Sequence, residues 1–245
     1  MIRDGIKTDK ENIRSFLMIG QSNMAGRGEL SDVEPIHNKS CYMLRMGRWQ
    51  TMEDPVNPDR RIFRGKYHSG VSLATSFADQ FQKDTLQSVG LIPCADGGTT
   101  IEEWMPGTLL YDHAVMMTRL AGRTSKLAGI LWHQGESNCN SEESLLHYKE
   151  RLLEMMRSLR KDLGAEQLPL IIGEISEQLD PARGLEDRPA RLNRILHEVA
   201  DTLPLCAVVS SKGLPLKEDG IHFNAPACRE FGLRYYEAYK KIKGE

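Results

Sequence analysis

Short apolar runs alternate along the chain with longer stretches in which apolar residues recur every three or four positions. Most of the short runs lack the apolar–polar alternation of a half-exposed strand, so they indicate strands buried on both faces of a parallel sheet. These predicted strands are SFLMIG at 15–20, SCYMLR at 40–45, SVGLIPCA at 88–95, LAGILWH at 127–133, LPLIIGEI at 168–175 and LCAVVSS at 205–211.

Amphipathic helices are predicted between these strands. The stretch 141–163 places its apolar residues on one stripe, with Asn140 or Ser141 as its N-cap and Gly164 as its stop. The other predicted helices lie near 72–83, near 112–125, over 190–203 and after Asn224. Alternation of buried strands and helices predicts a doubly wound, three-layer α/β/α sandwich with a flavodoxin-like parallel sheet.

The length and composition are typical of a soluble globular chain. The 245 residues are 40% hydrophobic and 27% charged, which suits one α/β domain over 1–245 with a sizeable core. Two long irregular stretches, 46–70 and 176–189, interrupt the pattern. Loops of that length in a compact domain are often lids or binding walls, so we expect them to shape a site.

The charge and cysteine content exclude several classes of function. A net charge of -2 gives no electrostatic reason to expect nucleic acid or an anionic membrane as a partner. No run is long enough to span a bilayer and the first residues lack a signal-peptide pattern, so we expect a cytoplasmic protein. The five cysteines form no CxxC pair, and His133 and Glu136 in HQGES lack the HExxH spacing. We therefore expect no metal and no cofactor; the sequence does not specify an oligomeric state.

Four polar, glycine-bearing segments follow predicted strands or precede the last helix. They are GQSN at 20–23, DGGTT at 96–100, HQGESN at 133–138 and DGIHFN at 219–224. Ligands of an open parallel sheet bind beyond the carboxyl ends of its strands. We therefore expect these four segments to meet at one edge of the sheet and to form the site.

The residue types in these segments fit nucleophilic catalysis. A serine hydroxyl is a weak nucleophile that needs an adjacent base, which a third group must orient. Ser22 is the candidate nucleophile, His222 the candidate base and Asp219 the candidate orienting carboxylate. Taken singly, Ser22 is more typical of a turn, Asp219-Gly220 is a common turn dipeptide and His222 is more often structural. Their occurrence together at one predicted edge favours the catalytic interpretation.

The same segments offer donors for a tetrahedral oxyanion. The backbone N–H of Ser22, an N–H in the Gly97-Gly98 turn and the side-chain amide of Gln134 are the candidates, with Gly97 preferred over Gly98.

Four further residues are candidates for binding a substrate: Gln21, Asn23, Trp104 and Glu136. Trp104 suits a core position and a pocket wall equally well.

The four segments resemble blocks of the SGNH (GDSL-like) hydrolases. More closely, the chain is similar to the branch of sialate O-acetylesterases and acetylxylan esterases grouped as carbohydrate esterase family six. The matching stretches are GQSNMAGRG at 20–28, PCADGGTTIEEW at 93–104, WHQGES at 132–137 and DGIHFN at 219–224. A GxSxG nucleophile elbow is absent from the sequence, which argues against a lipase-type α/β-hydrolase.

The resemblance implies the SGNH hydrolase fold and assigns the same roles. Ser22, Asp219 and His222 would form the triad, and the oxyanion hole would comprise Ser22, Gly97 and Gln134. The wider superfamily has Asn where this branch has Gln134. The family's use of acyl-enzyme chemistry would make Ser22 the acylated residue.

The expected function is that of a serine esterase that removes O-acetyl groups from a carbohydrate of the acetylxylan or sialic-acid type. Secreted esterases that act on polymeric xylan carry signal peptides, and no such pattern is visible here. We therefore expect the partner to be a small acetylated sugar. The alternatives are a general short-chain carboxylesterase without sugar preference and an inactive relative that only binds glycans.

Overall fold

The computed structural model describes residues 12–58 and 68–244. Seven strands form one sheet within these residues. They are β1 (Ile13–Gly20), β2 (Cys41–Arg45), β3 (Arg48–Thr51), β4 (Ser88–Pro93), β5 (Lys126–His133), β6 (Leu170–Gly173) and β7 (Cys206–Val209). Every pairing is parallel except that of β2 with β3.

The strand order in the sheet is β3-β2-β4-β1-β5-β6-β7. Without the edge pair β2 and β3, the remaining five strands have the flavodoxin-like order 2-1-3-4-5. The chain passes from β4 on one side of β1 to β5 on the other, so the winding reverses around β1. This confirms the predicted α/β sandwich and places its switch point at the carboxyl end of β1.

Seven α-helices cover the sheet in the described part of the chain. They are α1 (Ser22–Ala25), α2 (Leu73–Thr85), α3 (Leu109–Ala121), α4 (Glu142–Leu146), α5 (Tyr148–Asp162), α6 (Arg188–Thr202) and α7 (Ala225–Lys243). None of these helices combines the length and apolarity that crossing a membrane requires.

The central strand β1 is buried on both faces, as its uninterrupted apolar sequence predicts. Leu17 and Ile19 contribute to a core shared with α3, α4, α5 and α6. Phe16 and Met18 contribute to a second core, where Phe16 packs edge-to-face against Phe77 of α2. The helices therefore lie on both faces of the sheet and leave its carboxyl edge to the loops.

The capping predictions agree with the structure at two helix starts. Oγ of Ser141 accepts a hydrogen bond from the N–H of Ser144, and Oδ1 of Asn224 accepts one from the N–H of Ala227. The prediction of a single helix over 141–163 is wrong, however. The helical stretch is divided at His147 into α4 and α5. The apolar stripe continues across the division, so periodicity alone does not reveal it.

Strand β3 was not among the predicted strands. It pairs with β2 through a tight turn in which Met46 and Gly47 both have positive φ. Only Trp49 of its four residues is buried, so its sequence has no recognisable strand pattern. The predicted loop 46–70 thus contains a strand, and its residues 59–67 lie outside the described part. The loop 176–189 contains one short turn of 3₁₀ helix at Pro181–Arg183.

Candidate active site

The candidate nucleophile lies at the switch point of the sheet. Ser22 begins α1, directly after β1, and the N–H of Gln21 donates a hydrogen bond to the carbonyl of His133 at the end of β5. Gly20 has φ +126°, and a Cβ at this position would lie 2.1 Å from the carbonyl oxygen of His133. Glycine is therefore required here, and its presence lets the loop after β1 approach the loop after β5.

The three candidate triad residues form a continuous chain of contacts. Nε2 of His222 lies 2.9 Å from Oγ of Ser22, and Nδ1 of His222 lies 2.7 Å from Oδ2 of Asp219. The other carboxylate oxygen of Asp219 accepts the N–H groups of Ile221 and His222, both at 2.9 Å. Partial burial would raise the pKa of Asp219, but these hydrogen bonds outweigh it and lower the pKa below its ordinary value. Asp219 is thus held as a carboxylate against the imidazole.

Asn23 connects the loop that carries His222 to the loop that carries Ser22. Its Oδ1 accepts the N–H of Phe223 at 3.1 Å, and its Nδ2 donates to the carbonyl of Ile221 at 3.2 Å. These two contacts fall on either side of His222. Nδ2 also donates to Oε1 of Glu136 at 2.5 Å. Asn23 is buried and does not line the cavity, in contrast to its predicted place at the substrate.

Glu136 supports Asn23 from the loop after β5. It is buried, and its Oε1 lies 3.3 Å from Nε2 of the equally buried His133. Burial would raise the pKa of Glu136, but the contacts with His133 and Asn23 outweigh it and lower the pKa. A buried carboxylate with two partners, Asn23 and His133, therefore lies beneath the loop that carries Ser22.

A cavity of about 310 Å³ opens at Ser22 and His222. Its wall also includes Gln21 and Glu136, two of the predicted substrate-binding residues. Most of its lining side chains are polar or charged, which suits a hydroxylated ligand more than a long apolar chain.

Gly97 and Gly98 both line this cavity, and their surroundings differ. A Cβ on Gly97 would lie 3.6 Å from Cβ of Ser22 and 2.7 Å from Nη2 of Arg27, whereas a Cβ on Gly98 would meet nothing within 4 Å. Gly97 is therefore the glycine next to Ser22. Within the described chain, neither the N–H of Ser22 nor that of Gly97 is paired with an acceptor. Both N–H groups are available to a ligand.

The structure does not favour Gln134 as an oxyanion donor. The side chain is fully buried and does not line the cavity. Its Nε2 donates to the carbonyl of Thr99 at 3.0 Å, to Oδ1 of Asn138 at 2.6 Å and to Oε1 of Gln21 at 3.1 Å. Both amide protons are consequently occupied inside the loop. The sequence locates Gln134 on the correct loop but does not determine the direction of its side chain.

Trp104 is a core residue and not part of a pocket wall, the two positions that its sequence context allowed. It is 1% exposed, packs edge-to-face on Trp132 and donates its Nε1 proton to Oγ1 of Thr99. It therefore supports the 96–100 loop from behind and does not line the cavity.

Several cavity residues were not named as candidates from the sequence, among them Arg27, Asn57 and Arg183. Arg27 lies within the recognised stretch GQSNMAGRG, and Arg183 lies in the loop 176–189, so both had an indirect signal. Asn57 lies in the predicted loop 46–70, which gave the same indirect signal. Its side chain exchanges two hydrogen bonds with the backbone of Ala95, just after β4.

Comparison with known proteins identifies the family. A family model described as carbohydrate esterase, sialic acid-specific acetylesterase, matches residues 12–241. A probable carbohydrate esterase of Arabidopsis thaliana is 31% identical over 259 residues, covering 94% of each chain. The chain belongs to this carbohydrate esterase family. The resemblance read from the four sequence blocks is thereby confirmed.

Solved structures show the same fold for this carbohydrate esterase family member. The X-ray structure of an Arabidopsis thaliana protein has a TM-score of 0.82 at 27% identity and covers 94% of this chain and 98% of its own. The crystal structure of NanS has a TM-score of 0.75 at 16% identity, covering 98% and 99%. A carbohydrate acetylesterase from Xanthomonas citri has a TM-score of 0.63 at 19% identity, covering 95% of this chain and 57% of that one.

Proposed function

We propose that this protein is a serine acetylesterase that removes O-acetyl groups from a sugar of the sialic-acid or acetylxylan type. The observation that carries the proposal is the chain from Ser22 to His222 to Asp219, with contacts of 2.9 and 2.7 Å at the wall of a polar cavity. The family supports action on acetylated sugars in general.

In the first half of the reaction, Oγ of Ser22 attacks the acetyl carbonyl carbon. The hydroxyl proton passes to Nε2 of His222, and the carboxylate of Asp219 stabilises the resulting imidazolium. The carbonyl electron pair moves onto oxygen, where the N–H groups of Ser22 and Gly97 can donate to it. The tetrahedral intermediate then expels the sugar oxygen, which takes the proton from His222, and an acetyl ester remains on Ser22.

In the second half, water replaces the sugar. His222 removes a proton from the water as its oxygen attacks the acetyl ester, and the second tetrahedral intermediate forms in the same place. Its collapse breaks the bond to Oγ of Ser22, which recovers its proton from His222. Acetate leaves, and the enzyme returns to its initial state.

The polar wall supports a sugar as the leaving group. Gln21 and Arg183 line the cavity and can donate hydrogen bonds to hydroxyl or carbonyl oxygens. The related structures include a carbohydrate acetylesterase, which agrees with this chemistry.

The test compares esters that share an acetyl group but differ in the leaving group. Acetate release is measured with O-acetylated sialic acid, acetylated xylo-oligosaccharides and p-nitrophenyl acetate. A sugar esterase should have the highest kcat/KM on one of the two sugars. Equal kcat/KM on all three would indicate the general short-chain carboxylesterase, and binding without any turnover would indicate a glycan-binding relative.

The role of Ser22 is tested by covalent labelling. A fluorophosphonate should label wild type once and should not label Ser22→Ala, which should fold normally yet lose essentially all activity. Ser31→Ala, at an exposed serine outside the cavity, is the matched control and should keep both label and activity. Labelling that persists in Ser22→Ala would overturn the assignment.

A further inference from the structure

Asn138 is a fully buried residue whose side-chain amide has a partner at every hydrogen-bonding position. It lies between β5 and α4 and is 0% exposed. Its Oδ1 accepts the N–H of Ile101 at 3.0 Å and Nε2 of Gln134 at 2.6 Å. Its Nδ2 donates to Oε2 of Glu102 at 3.1 Å and to Oγ of Ser144 at 2.6 Å. An asparagine amide offers two acceptor sites and two protons, so all of them are used inside the protein.

The partners of Asn138 fix the orientation of its amide. The backbone N–H of Ile101 can only donate, so the atom that faces it must be the oxygen. The carboxylate of Glu102 lies on the other side. Partial burial would raise the pKa of Glu102, but its hydrogen bonds, including the one from Asn138, outweigh burial and lower the pKa. An ionised carboxylate can only accept, so the atom that faces Glu102 must be Nδ2.

The loop after β4, which carries Gly97, is held on both sides of this residue. Before it, the N–H of Asp96 donates to the carbonyl of Gly20 at 2.9 Å. After it, the carbonyl of Thr99 accepts a hydrogen bond from Nε2 of Gln134 at 3.0 Å. The loop therefore has a fixed place relative to the loop after β1, where the nucleophile lies.

Asn138 controls the second of these attachments and adds a third. Its Oδ1 accepts from the same Nε2 of Gln134 that reaches Thr99, so Asn138 helps to direct that amide. The same oxygen also accepts the N–H of Ile101, two residues further along the loop. Asn138 itself does not line the cavity. Its removal would loosen the loop beyond Gly97 without removing any side chain from the cavity wall.

We propose that Asn138 is a positioning residue for the oxyanion hole, which holds the N–H of Gly97 where the tetrahedral intermediate requires it. The proposal rests on the acyl-enzyme chemistry proposed above. A displaced donor stabilises the anion less, whereas the neutral carbonyl of the bound ester gains little from the donor in either place. Asn138 therefore acts on kcat more than on KM.

The principal variant is Asn138→Ala. We expect kcat to fall by about 10- to 100-fold with little change in KM, because a misplaced donor costs at most as much as a lost one. Functional sites are counted by fluorophosphonate labelling, and kcat is expressed per labelled site. A purely structural role would reduce the number of labelled sites and the melting temperature but leave kcat per site unchanged. That result would overturn the proposal.

Asn193→Ala is the matched control. Asn193 is also buried, and its amide exchanges two hydrogen bonds of 3.0 Å with the backbone of Ile175, which does not line the cavity. This variant should lower the melting temperature but keep the wild-type kcat per labelled site. An equal fall in kcat per site in both asparagine variants would mean that the effect is general, and it would overturn the specific role of Asn138.

A double variant tests the contact with Glu102. Asn138→Asp combined with Glu102→Gln exchanges the donor and the acceptor across the 3.1 Å contact. The new carboxylate can still accept from Ile101 and Gln134, while the new amide at position 102 donates to its other oxygen. The double variant should recover most of the kcat that Asn138→Ala loses. A double variant that folds but is as slow as Asn138→Ala would overturn the proposal.

The response of the donor itself can be measured with a ketone that mimics the intermediate. Oγ of Ser22 adds to the carbonyl carbon of trifluoroacetone, its proton passes to His222, and the ketone oxygen becomes the anion. In protein labelled with ¹⁵N-glycine, the amide proton of Gly97 should then move downfield, and by less in Asn138→Ala than in wild type. Equal shifts in the two proteins would overturn the inference. Absence of ester turnover in wild type would instead overturn the proposed function.

Discussion

Nε2 of His222 lies 2.9 Å from Oγ of Ser22, although 200 residues separate them in the chain. Each residue is held by a different part of the fold: Ser22 follows the central strand β1, and His222 precedes α7. Asn23 joins the two by hydrogen bonds on both sides of His222. The contact therefore depends on one buried amide as well as on the sheet.

Asp219→Asn should separate orientation of His222 from stability of the loop. The amide oxygen can still accept the N–H groups of Ile221 and His222, so the melting temperature should change little. The charge that stabilises the imidazolium is lost, so kcat should fall by about 10³- to 10⁴-fold. Steady-state kinetics and thermal denaturation check this. A large drop in melting temperature would mean that Asp219 is chiefly structural.

Asn23→Ala should reduce activity without altering any residue of the cavity wall. The variant frees the backbone on both sides of His222 and removes one partner of Glu136, so kcat should fall at least tenfold. The reactivity of Ser22 towards a fluorophosphonate should slow in parallel, since the base is no longer held. Unchanged labelling and kcat would contradict the positioning role. Asn38→Ala, at a part-buried asparagine near α2, is a control for the general effect of losing such a side chain.

Much of the fold, and the meeting of Ser22 with His222 and Asp219, could be predicted because local signals were strong. The buried strand β1 is visible as an apolar run, and the polar segments with Ser22 and His222 follow from where strands end. The directions of Gln21 and Gln134 could not be predicted, because each depends on partners more than 30 residues away. The division at His147 and the short strand β3 were missed because neither interrupts or creates a period in the sequence.

Gln134→Glu should destabilise the protein. The new carboxylate oxygen would face the carbonyl of Thr99 and the oxygens of Asn138 and Gln21, with no proton to share. A buried acceptor left against three others costs about 2–3 kcal/mol, so the melting temperature should fall by about 5 °C or more. Differential scanning calorimetry of Gln134→Glu and wild type in the same buffer checks this. A melting temperature of Gln134→Glu equal to that of wild type would contradict the assigned orientation of the Gln134 amide.

Thiol reagents should leave the enzyme active. The structure describes all five cysteines as free thiols, and burial is the largest cause that raises each of their pKa values to about 12. Since the thiolate is the reactive form, the native protein should resist iodoacetamide at pH 8. Intact mass should remain unchanged under native conditions and rise by five adducts after denaturation. Rapid alkylation with loss of activity would place a reactive cysteine at the site.

Glu136→Gln should reveal the contribution of a buried carboxylate to stability as the pH changes. The pKa of Glu136 in the folded protein lies below its ordinary value of 4.5, because its contacts with His133 and Asn23 outweigh the cost of burial. The folded state therefore binds a proton at this group less readily than the unfolded state. The resulting stability is fully present above about pH 4.5 and is lost as the pH falls through the folded pKa.

The glutamine variant keeps an oxygen that can accept from Asn23 but has no charge to titrate. Wild type should therefore be the more stable protein at pH 7, by about 3 °C or more in melting temperature. The difference should narrow steadily as the pH is lowered from 5 to 3. Glu143→Gln, at an exposed carboxylate near the start of α4, should show a small difference at every pH. A gap between wild type and Glu136→Gln that stays constant from pH 7 to pH 3 would mean that the charge of Glu136 contributes nothing to the fold. In that case the hydrogen bond to Asn23 alone would hold the loop beneath the nucleophile.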